Sequence, residues 1–186
     1  MHIFLQGPRG IGKSTVILRT LDILASGNPL ILGGFFTWNG GKTDPHVYMR
    51  PARSGRENEI CRLASYDAAK GGLISNISAF DVDGARLLME SKDADLIIMD
   101  ELGFLESGAE AFKQAVLDTL NGSTPILGVL RLGGVPWHEE IKRSLSVTIF
   151  EVDEKTRETL PQELALSLKN KNRRQECAEY CHIYPI

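Results

Sequence analysis

The sequence predicts an α/β protein with a mostly parallel sheet that is covered by helices on both faces. Short apolar runs alternate with segments of helical periodicity along most of the 186 residues, an order typical of βαβ units. The runs within 2–7, 95–100 and 125–130 are continuous rather than alternating, as expected for parallel strands that are buried on both sides. A glycine-rich stretch follows the first run, where the predicted strand turns into a helix.

The first third of the chain predicts a strand, a helix and a second strand before it becomes irregular. The helix begins at Lys13 and ends near Gly27, since the glycine and a following proline mark a C-terminus. Residues 30–37 predict the second strand. The segment 38–60 is rich in turn signals, and we expect a hairpin or a mobile lid there. Its arginines either close over phosphates or are solvated, and the pattern favours solvation: Arg50, Arg53 and Arg56.

The remaining two thirds predict further strands and helices up to a polar tail. Two strands are expected at 62–66 and 73–80, before a helix that Asp81 caps and that runs to about residue 90. The later elements are, in order, a strand at 95–100, an amphipathic helix at 107–120, a strand at 125–130, a short helix at 137–144, a strand at 146–152 and a helix from about Pro161. We therefore expect one domain over 1–168, followed by a tail over 169–186 that frays.

Composition and charge limit the function classes. The chain has 21 Lys+Arg against 24 Asp+Glu, a net charge of −3, which argues against non-specific nucleic-acid binding. No apolar run approaches the ~20 residues of a membrane span, and no targeting segment is evident. Three cysteines are too few for a disulfide scaffold, so we expect a cytoplasmic protein. Cys177, Cys181 and His182 resemble metal ligands in type, although a frayed tail explains them better.

A phosphate-binding loop is predicted directly after the first strand. Residues 7–14 fit the pattern G-x-x-x-x-G-K-[ST], in which backbone N–H groups and a helix N-terminus surround phosphates. Lys13 would supply a cation to the β- and γ-phosphates, and Ser14 a hydroxyl ligand to Mg²⁺. Arg9 either contacts phosphate or a neighbouring subunit, or is solvated, which we favour. The predicted phosphate-binding residues are Gly7, Pro8, Arg9, Gly10, Ile11, Gly12, Lys13, Ser14 and Thr15.

The carboxylates at the end of the 95–100 strand predict the metal and water side of the same site. Asp100 would hold Mg²⁺ through a water, opposite Ser14. Alternation along a strand points Glu101 elsewhere, but an irregular strand end would let it face the γ-phosphate and polarise water. Alone, the two acids could equally be solvated residues of a turn. Arg131 follows another strand and either reaches the γ-phosphate in the transition state or is an ordinary surface arginine.

These motifs resemble those of the small P-loop nucleoside-triphosphatases, the family of the cancer-related nucleoside-triphosphatase and its thermophilic relatives. The resemblance extends to Gly33-Gly34-Phe35-Phe36-Thr37, to Asp100-Glu101-Leu102-Gly103-Phe104-Leu105-Glu106, to Phe112–Val116 and to Lys155–Pro161. It implies a RecA-like P-loop fold and Mg²⁺-dependent hydrolysis of ATP, GTP and related triphosphates to diphosphate and phosphate. It also implies that 97–104, with Gly103, lines the nucleotide site and that Arg157 lies near the base.

Two other functions remain open from the sequence. A P-loop kinase would need a second pocket and a lid that excludes water, for which the 38–60 segment is the candidate. A nucleotide-dependent switch or assembly factor would hydrolyse slowly and reset its binding to a partner. The acidic pair favours the hydrolase because it provides a base for water. The sequence does not identify a protein partner.

Overall fold

The computed structural model describes residues 1–27 and 29–169, and within them eight strands form one sheet. The predicted tail and its Cys177, Cys181 and His182 lie outside the described residues. The strands are β1 (His2–Gln6), β2 (Leu32–Asn39), β3 (His46–Pro51), β4 (Cys61–Asp67), β5 (Gly72–Ser75), β6 (Leu96–Leu102), β7 (Ile126–Leu130) and β8 (Val147–Glu151).

Helices follow most of these strands. A continuous helix between β5 and β6, here called α2, is α-helical at Ile77–Ala79, π-helical at Phe80–Gly84 and α-helical again at Ala85–Met89. The others are α1 (Lys13–Ala25), α3 (Glu110–Leu120), α4 (His138–Arg143) and a last helix, α5, over residues 160–169. No helix of the described chain is long and apolar enough to cross a membrane.

The sheet is parallel where the site lies and antiparallel at one edge. Its order is β5-β4-β3-β2-β6-β7-β1-β8, and the five strands from β2 to β8 in this order are parallel. Strands β3, β4 and β5 extend the β2 edge as an antiparallel meander. Because parallel strands end at the same edge, the carboxyl ends of β1, β2, β6 and β7 meet around one crevice.

Two apolar cores lie on opposite faces of the sheet, as the predicted fold class requires. Alternating residues of β1 show the division, because Phe4 packs with α2 and α3 while Ile3 and Leu5 pack with α1 and α5. Each of these three side chains is fully buried. A sheet that buries both faces needs continuous apolar strands, and the α/β prediction with helices on both faces is confirmed.

The predicted strand at 73–80 is wrong beyond Ser75. The Asn76 side chain accepts a hydrogen bond from the Ala79 N–H and caps a helix that begins at Ile77, so the strand ends early. Asp81 does not cap that helix but lies inside it, where its Oδ1 accepts a hydrogen bond from the Phe112 N–H at 3.0 Å. The carboxylate therefore links α2 to the beginning of α3.

The 38–60 segment contains a strand that the sequence did not resolve. β3 pairs antiparallel with β2, with Val47 opposite Asn39 and Pro51 opposite Phe35. The turn between them lies at the carboxyl ends of the parallel strands, whereas the chain after Pro51 lies at their amino ends. The direction of β3 thus carries most of the segment away from the crevice.

Candidate active site

The loop between β1 and α1 has the geometry of a phosphate cradle. Gly10 and Gly12 adopt φ angles of 80° and 107°, in the left-handed region where residues with a Cβ are strained. Gly12 precedes the first turn of α1, and its lack of a side chain leaves the N–H groups of that turn without a side-chain cap. The loop therefore presents backbone donors and the positive end of the helix dipole at the carboxyl end of β1.

Lys13 lies inside this loop. Its side chain is buried, and its Nζ donates hydrogen bonds to the carbonyl oxygens of Gly7 and Pro8, both at 2.9 Å. A lysine ammonium has three donors, so a third N–H can point to a ligand in the loop while the other two stabilise its shape. Pro8 and Thr15 are exposed, and Ile11 packs partly on the α1 core.

Ser14 and Asp100 come together from two distant parts of the chain. The Ser14 Oγ donates a hydrogen bond to the Asp100 Oδ1 at 3.2 Å. Asp100 is 3% exposed, and burial, together with the neighbouring Glu101 carboxylate, raises its pKa to about 6. A hydroxyl and a carboxylate are the oxygen donors that Mg²⁺ prefers, so this donor set fits the predicted ion. Among the described residues, no group of three His, Cys, Asp or Glu side chains could hold a metal.

Glu101 faces the same cleft as Asp100 because β6 is irregular at its end. The register between β6 and β7 shifts between Met99 and Leu102, and both carboxylates line the cleft. The Thr37 hydroxyl oxygen accepts a hydrogen bond from the Glu101 N–H at 3.0 Å, which fixes the backbone at this point. The arrangement is the one that the water-polarising role requires.

Arg131 follows β7 and reaches Glu101. Its Nη1 lies 3.7 Å from the Glu101 Oε1, and its guanidinium carbon lies 4.7 Å from the centre of the Phe104 ring. The side chain is 39% exposed, so the ion pair is accessible to solvent and weak. The aromatic contact positions the guanidinium beside the cleft rather than leaving it free at the surface.

Glu106 is a component of the cleft to which the sequence reasoning assigned no role. It is 2% exposed, and its Oε1 accepts a hydrogen bond from the Gly103 N–H. Burial and the nearby Glu101 carboxylate raise the pKa of Glu106 to about 7. The Trp137 Nε1 donates to the Gly103 carbonyl at 3.1 Å, so both polar groups of this glycine are bonded. The place of Glu106 at the end of the 100–106 motif was the one sequence feature that could have indicated a role for it.

Glu106→Gln is expected to flatten the dependence of stability on pH. The folded-state pKa near 7 exceeds the ordinary 4.5, so folding favours the protonated acid: its contribution is complete below about pH 4.5 and is lost as pH rises through 7. The free energy of unfolding that this group contributes at low pH and loses at high pH is about 3 kcal/mol. Urea unfolding at about pH 5 and about pH 8 should show that the free energy of unfolding falls less for the variant than for the wild type over this range.

Glu163→Gln is the matched control for this measurement, because Glu163 is exposed. It should reproduce the wild-type pH dependence, which retains the contributions of both Asp100 and Glu106. If the free energy of unfolding changes with pH equally in Glu106→Gln and in the wild type, the pKa of Glu106 is the same in the folded and unfolded states. That result would contradict the effect of burial on this carboxyl.

These residues surround a cleft of about 350 Å³ at the carboxyl edge of the sheet, within the range of small-molecule sites. Gly7, Arg9, Lys13 and Ser14 line one end. The acids and Arg131 lie in the middle. Residues of the meander and α2 form the other end. Arg9 is exposed but lines the cleft, whereas Gly10, Ile11 and Gly12 shape the loop behind it.

The arginines of the irregular segment lie away from the cleft, in agreement with the favoured prediction of solvated side chains, and the alternative that they close over phosphates is wrong. Arg53 pairs with Asp93 at 2.5 Å, and Arg56 pairs with Glu59 and Glu90 at 2.5 and 2.7 Å. The Arg50 guanidinium carbon lies 5.1 Å from the centre of the Phe36 ring. The direction of β3 explains where these arginines lie, because it carries residues 50–56 towards the amino ends of the parallel strands.

Arg157 does not line the cleft either, but it lies in the segment that packs against the phosphate loop. A Cβ on Gly7 would lie 2.5 Å from the Val152 carbonyl oxygen, so the chain after β8 touches the start of the loop. Arg157 follows in a turn that the Asp153 carboxylate stabilises through the N–H groups of Lys155 and Thr156. Its Nε lies 3.6 Å from the Glu158 Oε1.

Known proteins resemble this chain in sequence over most of its length. The model of a family described as NTPase matches residues 2–165. The nucleoside-triphosphatase THEP1 of Methanosarcina barkeri is 30% identical over 169 residues, which are 89% of this chain and 95% of that protein. The cancer-related nucleoside-triphosphatase homolog of Mus musculus is 27% identical over 179 residues, with coverage of 86% and 92%.

Solved structures show the same fold. The solution structure of a human cancer-related nucleoside triphosphatase superimposes with a TM-score of 0.70 at 25% identity, covering 91% of this chain and 97% of that one. The crystal structure of THEP1 from Aquifex aeolicus gives a TM-score of 0.70 at 19% identity, with coverage of 88% and 96%. The second likeness concerns the fold alone.

Proposed function

The chain belongs to the NTPase family, whose model covers residues 2–165, and from this membership we propose the details of its reaction. The protein is a nucleoside-triphosphatase, a hydrolase acting on nucleoside triphosphates. We propose that ATP and GTP are among its substrates and that the products are the nucleoside diphosphate and inorganic phosphate. We also propose that Mg²⁺ is required. One nucleotide-binding domain over 1–168 carries this activity.

The convergence of three side chains on the phosphate loop is the observation that supports the proposal. Ser14, Asp100 and Glu101 come from α1 and from the end of β6, and all three line the cleft that the loop closes at one end. The family membership identifies the reaction, and this convergence supports our proposal of which side chains carry it out. A hydrolase needs bound phosphates, a metal-binding group and a base within reach of one water, and these residues provide each of them.

Lys13 and the loop N–H groups would bind the phosphates. Ser14 and Asp100 would hold Mg²⁺, which supplies charge neutralisation when bound. The Glu101 carboxylate accepts a proton from water as the water oxygen attacks the terminal phosphorus. The bond from that phosphorus to the bridging oxygen then breaks, and the diphosphate leaves. Arg131 is adjacent to Glu101 and can stabilise the charge on the transferred group by a small movement.

Binding of the nucleoside is assigned to residues around the loop. Arg9 would contact phosphate from the exposed side, Gly103 would line the nucleotide site beside the acids, and Arg157 would lie near the base. The contact between Gly7 and the Val152 carbonyl supports the last assignment, because it brings the segment after β8 to the loop. We also place the protein in the cytoplasm, where the Cys61 thiol, which forms no disulfide, would stay reduced.

A substrate panel with and without Mg²⁺ tests the proposal. ATP and GTP should each yield inorganic phosphate and the corresponding nucleoside diphosphate in equal amounts, without pyrophosphate. Chelation by EDTA should lower the rate by at least about 100-fold, because Mg²⁺ supplies several kcal/mol of charge stabilisation. Added MgCl₂ should restore the rate. Unchanged turnover in EDTA would contradict the metal assignment, and pyrophosphate as the product would contradict the site of cleavage.

A further inference from the structure

The cleft of about 350 Å³ has a second end that the phosphate loop does not form. In the sheet order, β6 with its acids lies between the phosphate-loop strand β1 and the meander strands β3, β4 and β5. Past Glu101, away from the phosphate loop, the walls of the cleft come from the meander, from α2 and from the loop after β6. We call this end the meander subsite and define it by Val47, Leu63, Leu73, Phe80 and Leu105.

The lining of the meander subsite is apolar with polar groups at its border. Leu63 and Phe80 are 1% and 4% exposed and form a buried floor. Asn39 and Glu106 are polar residues of the same cleft, and the Glu106 carboxyl lies near that of Glu101. Most small-molecule sites combine apolar walls with a few polar groups in this way. The exposed Trp38 ring stacks on Tyr48 at 5.4 Å and forms the rim.

The charges around the subsite select the ligand class. None of its five defining residues is charged, so a phosphate or carboxylate group would find no cationic partner there. Such a group would also approach the Glu101 carboxylate, at an electrostatic cost. An uncharged ligand with an apolar body meets neither penalty, and a hydroxyl on that body could reach the acids at the border.

We propose that the meander subsite binds a small, uncharged, largely apolar alcohol whose hydroxyl lies beside Glu101 and accepts the terminal phosphoryl group in place of water. The proposal rests on the phosphate and base assignments of the proposed function. The alcohol oxygen forms a bond to the terminal phosphorus, and the bond from phosphorus to the bridging oxygen breaks. The hydroxyl proton passes to the Glu101 carboxylate, the nucleoside diphosphate leaves, and the product is a phosphate monoester.

Benzyl alcohol is a suitable probe because it joins one hydroxyl to an apolar ring. The full-length protein is incubated with ATP, Mg²⁺ and increasing benzyl alcohol, and ³¹P NMR measures benzyl phosphate and inorganic phosphate in one sample. Binding to the subsite predicts that benzyl phosphate formation saturates with alcohol concentration while phosphate release declines. Glycerol, which lacks an apolar body, should yield no monoester at the same concentrations.

Leu73 and Ile74 provide a matched pair of variants. They are neighbours on β5, but Leu73 lines the cleft, whereas Ile74 lies on the other face of the strand and is 39% exposed. Leu73→Trp should fill the subsite and lower benzyl phosphate formation by at least about tenfold, a usual effect of altered pocket fit. Ile74→Trp should leave both products at wild-type levels.

The outcomes separate this proposal from the proposed function. Phosphate release without saturable benzyl phosphate formation would overturn the subsite and leave the hydrolase intact. No phosphate release from ATP or GTP without alcohol would overturn the proposed function itself. Equal losses of benzyl phosphate in Leu73→Trp and Ile74→Trp would also overturn the subsite, since only one of these side chains faces it.

Discussion

Glu101→Gln is expected to bind ATP at least as tightly as the wild type and to hydrolyse it about 1,000-fold more slowly, within the range for loss of a general base. The amide cannot accept a proton from water. Binding is preserved because the substitution removes a negative charge next to the phosphates and releases Arg131, whose Nη1 lies 3.7 Å from the carboxylate. Single-turnover phosphate release and titration with a fluorescent ATP analogue measure the two effects separately.

The same exchange at Glu163 is the control, because that acid is exposed on α5. Glu163→Gln should bind and hydrolyse ATP at wild-type levels. Hydrolysis by Glu101→Gln at the wild-type rate would refute the assignment of Glu101 as the base. A parallel loss of binding would show that the carboxylate acts in nucleotide affinity, and it would refute the assignment as well.

The phosphate loop could be predicted from the sequence because its chemistry is local. Gly10 and Gly12 adopt positive φ angles within the loop itself, and α1 begins directly after it. The acidic strand was also readable, since a continuous apolar run ending in carboxylates predicts a buried strand whose end faces the crevice. The parallel topology then brings Ser14 to Asp100 although 86 positions separate them.

The orientation of the acids depends on contacts that no short pattern records. Alternation alone would turn Glu101 away from Asp100, and the register shift between β6 and β7 is what brings both to the cleft. Glu106 looks like an ordinary charged loop residue. Its burial follows from how the loop after β6 packs, and one link in that packing is the 2.5 Å hydrogen bond from the Ser75 Oγ to the Leu105 carbonyl.

Topology decides between the two alternatives for the arginines of the 38–60 segment, in favour of solvation. Turn residues and arginines in the 38–60 segment suit a phosphate-closing loop, but the pairing of β3 with β2 decides at which edge they lie. Acids that are distant in sequence, Glu90 and Asp93, then pair with Arg56 and Arg53. The same meander, however, forms the far wall of the cleft. The meander thus contributes uncharged side chains to the cleft wall, whereas Arg50, Arg53 and Arg56 lie outside it.

Lys13→Ala is expected to lower the affinity for ATP at least about 100-fold and to reduce hydrolysis below detection. The Nζ is held in the loop by the Gly7 and Pro8 carbonyls at 2.9 Å, so its remaining donor and its charge are preorganised for the phosphates. Hydrogen bonds to charged groups contribute ~1.5–3 kcal/mol each, and about 1.4 kcal/mol is a factor of ten in affinity. Isothermal titration with ATP and a phosphate-release assay measure both losses.

Loss of the loop's shape is the competing explanation, and Lys113→Ala controls for it. The Lys113 Nζ also donates to a backbone carbonyl, that of Ser107 at 3.0 Å, but it lies outside the cleft. This variant should keep wild-type affinity and turnover, with a similar small decrease in thermal stability. If Lys13→Ala unfolds at the same temperature as Lys113→Ala yet fails to bind ATP, the lysine acts on the phosphates directly. Binding of ATP by Lys13→Ala within about twofold of the wild type would contradict the charge assignment, because loss of the remaining donor and of the cation would then have cost less than ~0.5 kcal/mol.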